Sequence, residues 1–216
     1  MSDNLQLALF MLVTLFPSLA LHEYAHAFAA DRMGDYTARR WGRMTLNLKP
    51  HIDRFGTLVL PGLLLILVAA GYFPPVFAYA KPMPFNPSAL KDPERGAMWY
   101  ALAGPLANLG LAIVFGIALR LLDPGTGSTL GLFLFAGLVI NVVLFIFNLM
   151  PIPGLDGSKL LARFLSFRAR EFYQRMDEYL PLFMLVIFFL LAAPALSIVR
   201  ALGNATCRLI GVGDCL

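Results

Sequence analysis

The chain has 216 residues, of which 59% are hydrophobic and 14% charged, and its formal net charge at pH 7 is +4. A mean hydropathy of +0.73 is too high for a water-soluble domain and points to a multi-pass membrane protein. The sequence pI near 9.3 would suit a nucleic-acid binder, but basic residues flanking membrane helices account for it, so no nucleic acid is expected as a partner.

The first apolar run, Leu5 to Met33, is predicted to be a membrane helix, mildly interrupted by Pro17 and ended by Gly34. No basic segment precedes it and no small-residue cleavage site follows it, so it reads as a retained helix and not a removed signal peptide. Within it lies His22-Glu23-Tyr24-Ala25-His26. Histidines four apart stack on one face of a helix and can hold one metal ion together. The spacing is the H-E-x-x-H signature of zinc hydrolases, in which zinc lowers the pKa of a bound water and the glutamate acts as general base. Imidazole and carboxylate groups are costly inside a membrane and are functional there by default. The alternative is an interfacial helix end whose His and Glu face water, and a third ligand has to decide between the two.

The polar, basic stretch Asp35 to Phe55 follows. Its part from Tyr36 to Asn47 carries β-branched and aromatic residues without a helical stripe, which predicts one or two short strands beside the metal site, with an ordinary loop as the alternative. Thr57 to Phe73 is apolar but short, contains Pro61-Gly62, and runs into Pro74-Pro75 and the proline-rich Lys81 to Pro87. That pattern suits a thin crossing or a re-entrant hairpin. Ala97 to Leu119 is a crossing with Gly104-Pro105-Leu106-Ala107-Asn108 near its start, and Asp123 to Gly127 is a tight polar turn. Leu130 to Met150 crosses back and ends in Asn148-Leu149-Met150-Pro151-Ile152-Pro153-Gly154-Leu155-Asp156-Gly157. The basic segment Lys159 to Arg175 is predicted to be a surface helix, and Tyr179 to Leu202 the last crossing. The expected fold is therefore an all-α polytopic membrane protein: about four full transmembrane helices, a re-entrant hairpin, and a short membrane-associated β segment after the first helix. It forms one domain over 1–216, with its core at 5–157.

Three motifs in this order, His22-Glu23-x-x-His26, Gly104-Pro105-x-x-Asn108 and Asn148-x-x-Pro151-x-x-x-x-Asp156-Gly157, resemble the site-2 protease family of intramembrane zinc metalloproteases, in its compact bacterial form without PDZ or CBS domains. The segments Pro50 to Asp53 and Ala80 to Pro84 also look like that branch. The resemblance implies one Zn²⁺ per chain held by His22, His26 and Asp156, with Glu23 as catalytic base. It further implies that Asn148 and Asn108 help to position the substrate, a transmembrane protein or peptide. Two imidazoles and one carboxylate leave a fourth position for water, the layout of a catalytic zinc site. For Asn108 the residues themselves leave close helix packing equally open. His51, the third histidine, could be an extra metal ligand, a proton shuttle or a gate residue near the cleft; a structural role bonded to backbone is expected instead, and it stays outside the metal set, while the role of Asp53 is left open.

Asp156 has to meet the two histidines at one depth, so an odd number of full crossings must separate Met33 from the helix leading into Asp156. Only a hairpin over 57–80 satisfies this with Ala97 to Leu119 as the single crossing. Charge agrees: the basic residues between Arg32 and Arg95 and between Lys159 and Arg175 fall on one side, and only Arg120, Arg200 and Arg208 on the other. The positive-inside rule then puts the site toward the cytoplasm in an inner (plasma) membrane and both ends of the chain outside, where Cys207 and Cys215 could pair. A strand of the substrate, once unwound, could pair with Tyr36 to Asn47 or Lys81 to Pro87. The rival readings are a non-catalytic zinc-binding scaffold and a transporter. The intact Glu23 and open fourth position argue against the first, and the lack of paired repeats with broken helices against the second.

Overall fold

The computed structural model describes residues 3–70, 78–124, 128–162, 164–176, 179, 201, 204 and 208. Three of its helices are long and apolar enough to cross a membrane: α1 (Asp3–Arg32), α4 (Pro93–Leu122) and α5 (Thr129–Asn148). Between α1 and α4 lie the single turn α2 (Thr37–Arg40) and α3 (Leu60–Ala69), and after α5 come α6 (Asp156–Ala162) and α7 (Phe167–Met176). The expected last crossing from Tyr179, and Cys207 and Cys215, lie outside the described residues apart from single positions.

Each long helix has a readable start or stop. Pro93 opens α4, and the Asp92 carboxylate accepts from Arg95 N at 3.1 Å, satisfying one of the helix's first N–H groups. Ser128 caps α5 through Gly131 N at 3.0 Å. At the end of α1, Gly34 takes φ +110° and packs against the Ala89 carbonyl. A side chain there would be strained.

The three long helices pack on one another, and contacts between them give their directions. Near the end of α1, His22 and His26 meet Asn108 and Tyr100 of α4. Near its beginning, Phe10 meets Phe133 of α5, which meets Phe115 of α4. So α1 and α5 run parallel and α4 runs antiparallel between them. Leu12, Leu15 and Leu19 of α1, Ala112 of α4, and Leu138 and Val142 of α5 build the main core, to which Leu64 and Val68 of α3 also belong.

The segment 34–92 leaves and returns at one end of this bundle, because Lys91 N donates to Met33 O at 3.2 Å. Within it a smaller excursion is closed in the same way. Lys81 N donates to His51 O at 2.9 Å, Tyr79 N to Gly56 O at 3.3 Å, and the Thr57 hydroxyl to Tyr79 O at 2.9 Å. Arg54–Val59 is a π-helical turn leading into α3, and among the described residues Arg54–Val68 forms an apolar helical stretch shorter than the three long helices.

The expected β segment is not there. Among the described residues there is no strand, and 36–47 is α2 followed by bends. The Asp35 carboxylate explains the helical turn: it accepts from Thr37 N at 2.9 Å and from the Thr37 hydroxyl, and reaches Asn86 N at 2.7 Å. Burial pushes this carboxyl up, but those donors and the charge of Arg40 hold it below the usual carboxylate range. Beyond Gly42 (φ +66°), the Arg43 guanidinium donates to Pro82 O at 2.6 Å and Lys81 O at 2.8 Å, tying the loop to an extended strap by side chain and not by a backbone ladder. The basic segment after Asp156 is likewise two helices, α6 and α7, and not one.

Candidate metal centre

Helical periodicity puts His22 and His26 one turn apart on α1, with ring centroids 4.6 Å apart. Their Nε2 atoms are 3.0 Å from each other, and Asp156 Oδ2 lies 3.2 Å from the first and 3.0 Å from the second. All three residues are buried. The loop after α5 delivers Asp156. Its close turn needs Gly157, where a Cβ would meet the Leu149 carbonyl, and Gly154 takes φ +87°.

The protons on the two rings follow from their far nitrogens. His26 Nδ1 is 2.6 Å from Tyr100 O, a pure acceptor, so this nitrogen carries a proton. His22 Nδ1 is 2.6 Å from Asn108 Oδ1, and the orientation of that amide is set by a chain of bonds. Asn141 Nδ2 donates to Gly137 O at 2.8 Å and to Ser18 Oγ at 3.0 Å, and the Ser18 hydroxyl donates to Thr14 O at 2.7 Å. Backbone carbonyls only accept, so Asn141 must turn its Oδ1 to Asn108, which donates through Nδ2 at 3.0 Å and is left to accept from His22 Nδ1. With both Nδ1 atoms protonated in the neutral rings, both Nε2 atoms are left as acceptors, each within 3.2 Å of Asp156 Oδ2.

Three acceptors converging at about 3 Å repel one another unless a cation sits among them. Tetrahedral zinc with ligand bonds of about 2.0–2.1 Å needs ligand atoms about 3.3 Å apart, close to the observed 3.0, 3.0 and 3.2 Å. The donor set therefore fits such an ion. Lys159 occupies the other carboxylate oxygen, with Nζ 3.0 Å from Asp156 Oδ1 and 5.2 Å from the Tyr100 ring, which leaves Oδ2 for the ion. On the α4 side, a Cβ at Gly104 would collide with His26 Nε2, so only glycine lets α4 come this close.

The trio faces a cleft of about 80 Å³ whose walls include Glu23, Tyr79, Pro82, Met83 and Asn148. Glu23, Asn148, His22, His26 and Asp156 are thus brought together, and Asn148 donates to Leu144 O at 2.9 Å. Asn108 is not at the cleft: it is 0% exposed and its amide is spent on His22 and Asn141. Substrate contact, expected from the resemblance, does not suit that placement. His51 donates through Nε2 to Thr45 O at 2.8 Å, and Asp53 caps the turn after it through Phe55 N and Gly56 N; neither belongs to the trio. Lys159, Asn141, Ser18 and the Tyr100 carbonyl were not singled out from the sequence. Lys159 alone left a trace there, as a basic residue one helical turn after Asp156.

The model of peptidase family M50 matches residues 125–191. The chain is 35% identical over 192 residues to YwhC of Bacillus subtilis, which carries the name of a zinc metalloprotease, with 85% of this chain and 82% of that one covered. It is 32% identical to Rip2 of Mycolicibacterium smegmatis and to Rip2 of Mycobacterium tuberculosis, similarly named, covering 83% of this chain and 65% of each. No solved structure matches at a significant level.

Proposed function

This chain belongs to peptidase family M50, and from that premise we propose that it is an intramembrane zinc metalloprotease. It hydrolyses a peptide bond in or near the membrane-spanning segment of a substrate protein, the step that serves regulated intramembrane proteolysis. The observation that carries the reading is the convergence of His22 Nε2, His26 Nε2 and Asp156 Oδ2 within 3.2 Å of one another, with both Nε2 atoms left as acceptors. These three residues would hold one Zn²⁺ per chain.

Zinc, when bound, supplies Lewis acidity to a water molecule and to the scissile carbonyl. Glu23, in the wall of the same cleft, takes a proton from the attacking water and returns it to the departing amide nitrogen, so that a C–O bond forms as the C–N bond breaks. Asn148 faces the cleft and positions the substrate backbone, whereas Asn108 acts behind His22 and holds its ring. Lys159 bonds the second oxygen of Asp156 and so would leave Oδ2 alone to ligate the ion.

In the bilayer, α1, α4 and α5 cross. The return of 34–92 to its starting end, through Lys91 and Met33, supports no net crossing there, and the closure of 57–79 on itself supports a re-entrant hairpin. Helix α4 then crosses to the far face and α5 crosses back, returning Asp156 to the level of His22. The excess of basic residues at that end favours a cytoplasm-facing site in the plasma membrane.

The test is incubation of purified wild type and Glu23→Gln with a panel of single-pass transmembrane peptides, with metal content determined and cuts read by mass spectrometry. Glu23→Gln is expected to keep zinc and lose cleavage by at least about 100-fold. Cleavage at the wild-type rate removes Glu23 from the mechanism, and stoichiometric zinc in His22→Ala, His26→Ala and Asp156→Ala removes the ligand set.

A further inference from the structure

A second cavity, of about 200 Å³, adjoins the metal cleft: Leu19 and Ala80 form walls of both. We propose that this cavity, bounded also by Phe16, Ala20 and Leu58, receives a large apolar side chain of the substrate immediately beside the scissile bond. The assignment rests on the protease reading above and names the residue class that the site selects.

Distance is the first argument. Leu19 precedes His22 by three residues and Glu23 by four, so on α1 it lies about 4.5–6 Å along the axis from the reacting centre. An extended peptide advances about 3.3 Å per residue. A carbonyl held between His22 and Glu23 therefore puts a flanking side chain at the mouth of the cavity.

The second argument is chemical. The two polar residues in the wall have turned their donors elsewhere: the Thr57 hydroxyl donates to Tyr79 O at 2.9 Å and accepts from Asp53 N at 3.0 Å, and His51 donates through Nε2 to Thr45 O at 2.8 Å. What remains is a lining of methyl, methylene and ring carbons. A polar substituent would leave its own partners and find at most the buried His51 Nδ1, which has none among the described residues. Since a membrane substrate comes from lipid, which is as apolar as leucine, selection comes from close packing and from refusal of polar groups, not from escape from water. The volume suits one leucine, methionine or phenylalanine side chain.

The experiment varies the residues around the cut in a transmembrane peptide and reads cleavage by mass spectrometry, with zinc content and melting temperature measured for every variant. Wild type is expected to cut beside Leu, Met or Phe at least about tenfold faster than beside Gly or Asn. Ala20→Leu fills the floor and should shift the preference toward Ala. Leu58→Ala, at a rim position that is 57% exposed and so tolerant of change, should widen it toward Trp. Opposite shifts in the two variants establish the pocket. A uniform slowing of all peptides, an absence of preference at either flanking position, or a dependence on lipid chain length alone overturns it. Failure of wild type to cut any peptide overturns the protease reading and the pocket together.

Discussion

At the scale of single residues, the metal centre is a matter of where protons sit. The carbonyls of Tyr100, Gly137 and Thr14 accept hydrogen bonds and never donate, and through Asn141, Asn108 and Ser18 they leave the two histidines with free Nε2 lone pairs. Asn141→Leu removes the group that orients Asn108. The amide of Asn108 is then free to present Nδ2 to His22 and favour the wrong tautomer. Zinc affinity, measured by competition with a chelator, should fall by about 10–100-fold. Ser18→Ala should change it little, because Asn141 keeps its bond to Gly137 O. The ¹⁵N shifts of the His22 ring in the metal-free protein check the cause directly. Unchanged affinity and shifts in a folded Asn141→Leu protein would show that the chain does not set the tautomer.

At the scale of elements, close approach does what side chains alone cannot. Helix α4 reaches the two histidines because position 104 has no Cβ. Gly104→Ala should raise intrinsic helix stability slightly and yet expel zinc, since the added methyl sits where His26 Nε2 is; zinc titration of a purified, helical Gly104→Ala protein tests this. The region between α1 and α4 is held by Asp35 in place of a β-ladder. Because the folded carboxyl ionises below its usual range, its contribution is full above the unfolded pKa of about 3.9 and is lost as pH falls through the lowered folded value. The melting difference between wild type and Asp35→Asn should therefore shrink on acidification below about pH 4; a difference that grows there would contradict the assignment. The strands expected in 36–47 failed because their β-branched and aromatic residues have no partner ladder. Trp41 is 69% exposed, and the strap opposite is joined through Arg43.

At the scale of the whole molecule, the antiparallel α4 and the closed excursion at 34–92 place Trp41 at the same end as the metal centre and Asp123 at the other. With Cys207→Ser and Cys215→Ser as background, Trp41→Cys should react with an impermeant maleimide only from the cytoplasmic face, and Asp123→Cys only from the opposite one. Reaction of both from one face would break the topology. Much of this was legible in the amino-acid sequence. The spacing of His22, Glu23 and His26, the apolar runs that form α1, α4 and α5, and the break at Gly34 all come from local pattern and bilayer thickness. By itself the sequence determined which residues lie on one helical face and that α1, α4 and α5 are long apolar helices, because both depend on neighbours within a few positions; the expected crossing from Tyr179 lies outside the described residues. Only the tertiary structure decided that Asn108 stands behind His22, that Asn141 orients it, that Lys159 takes one oxygen of Asp156, and that 36–47 is not a strand. Those outcomes depend on hydrogen bonds between residues far apart in the chain, and no local periodicity encodes which distant donor a buried acceptor will meet.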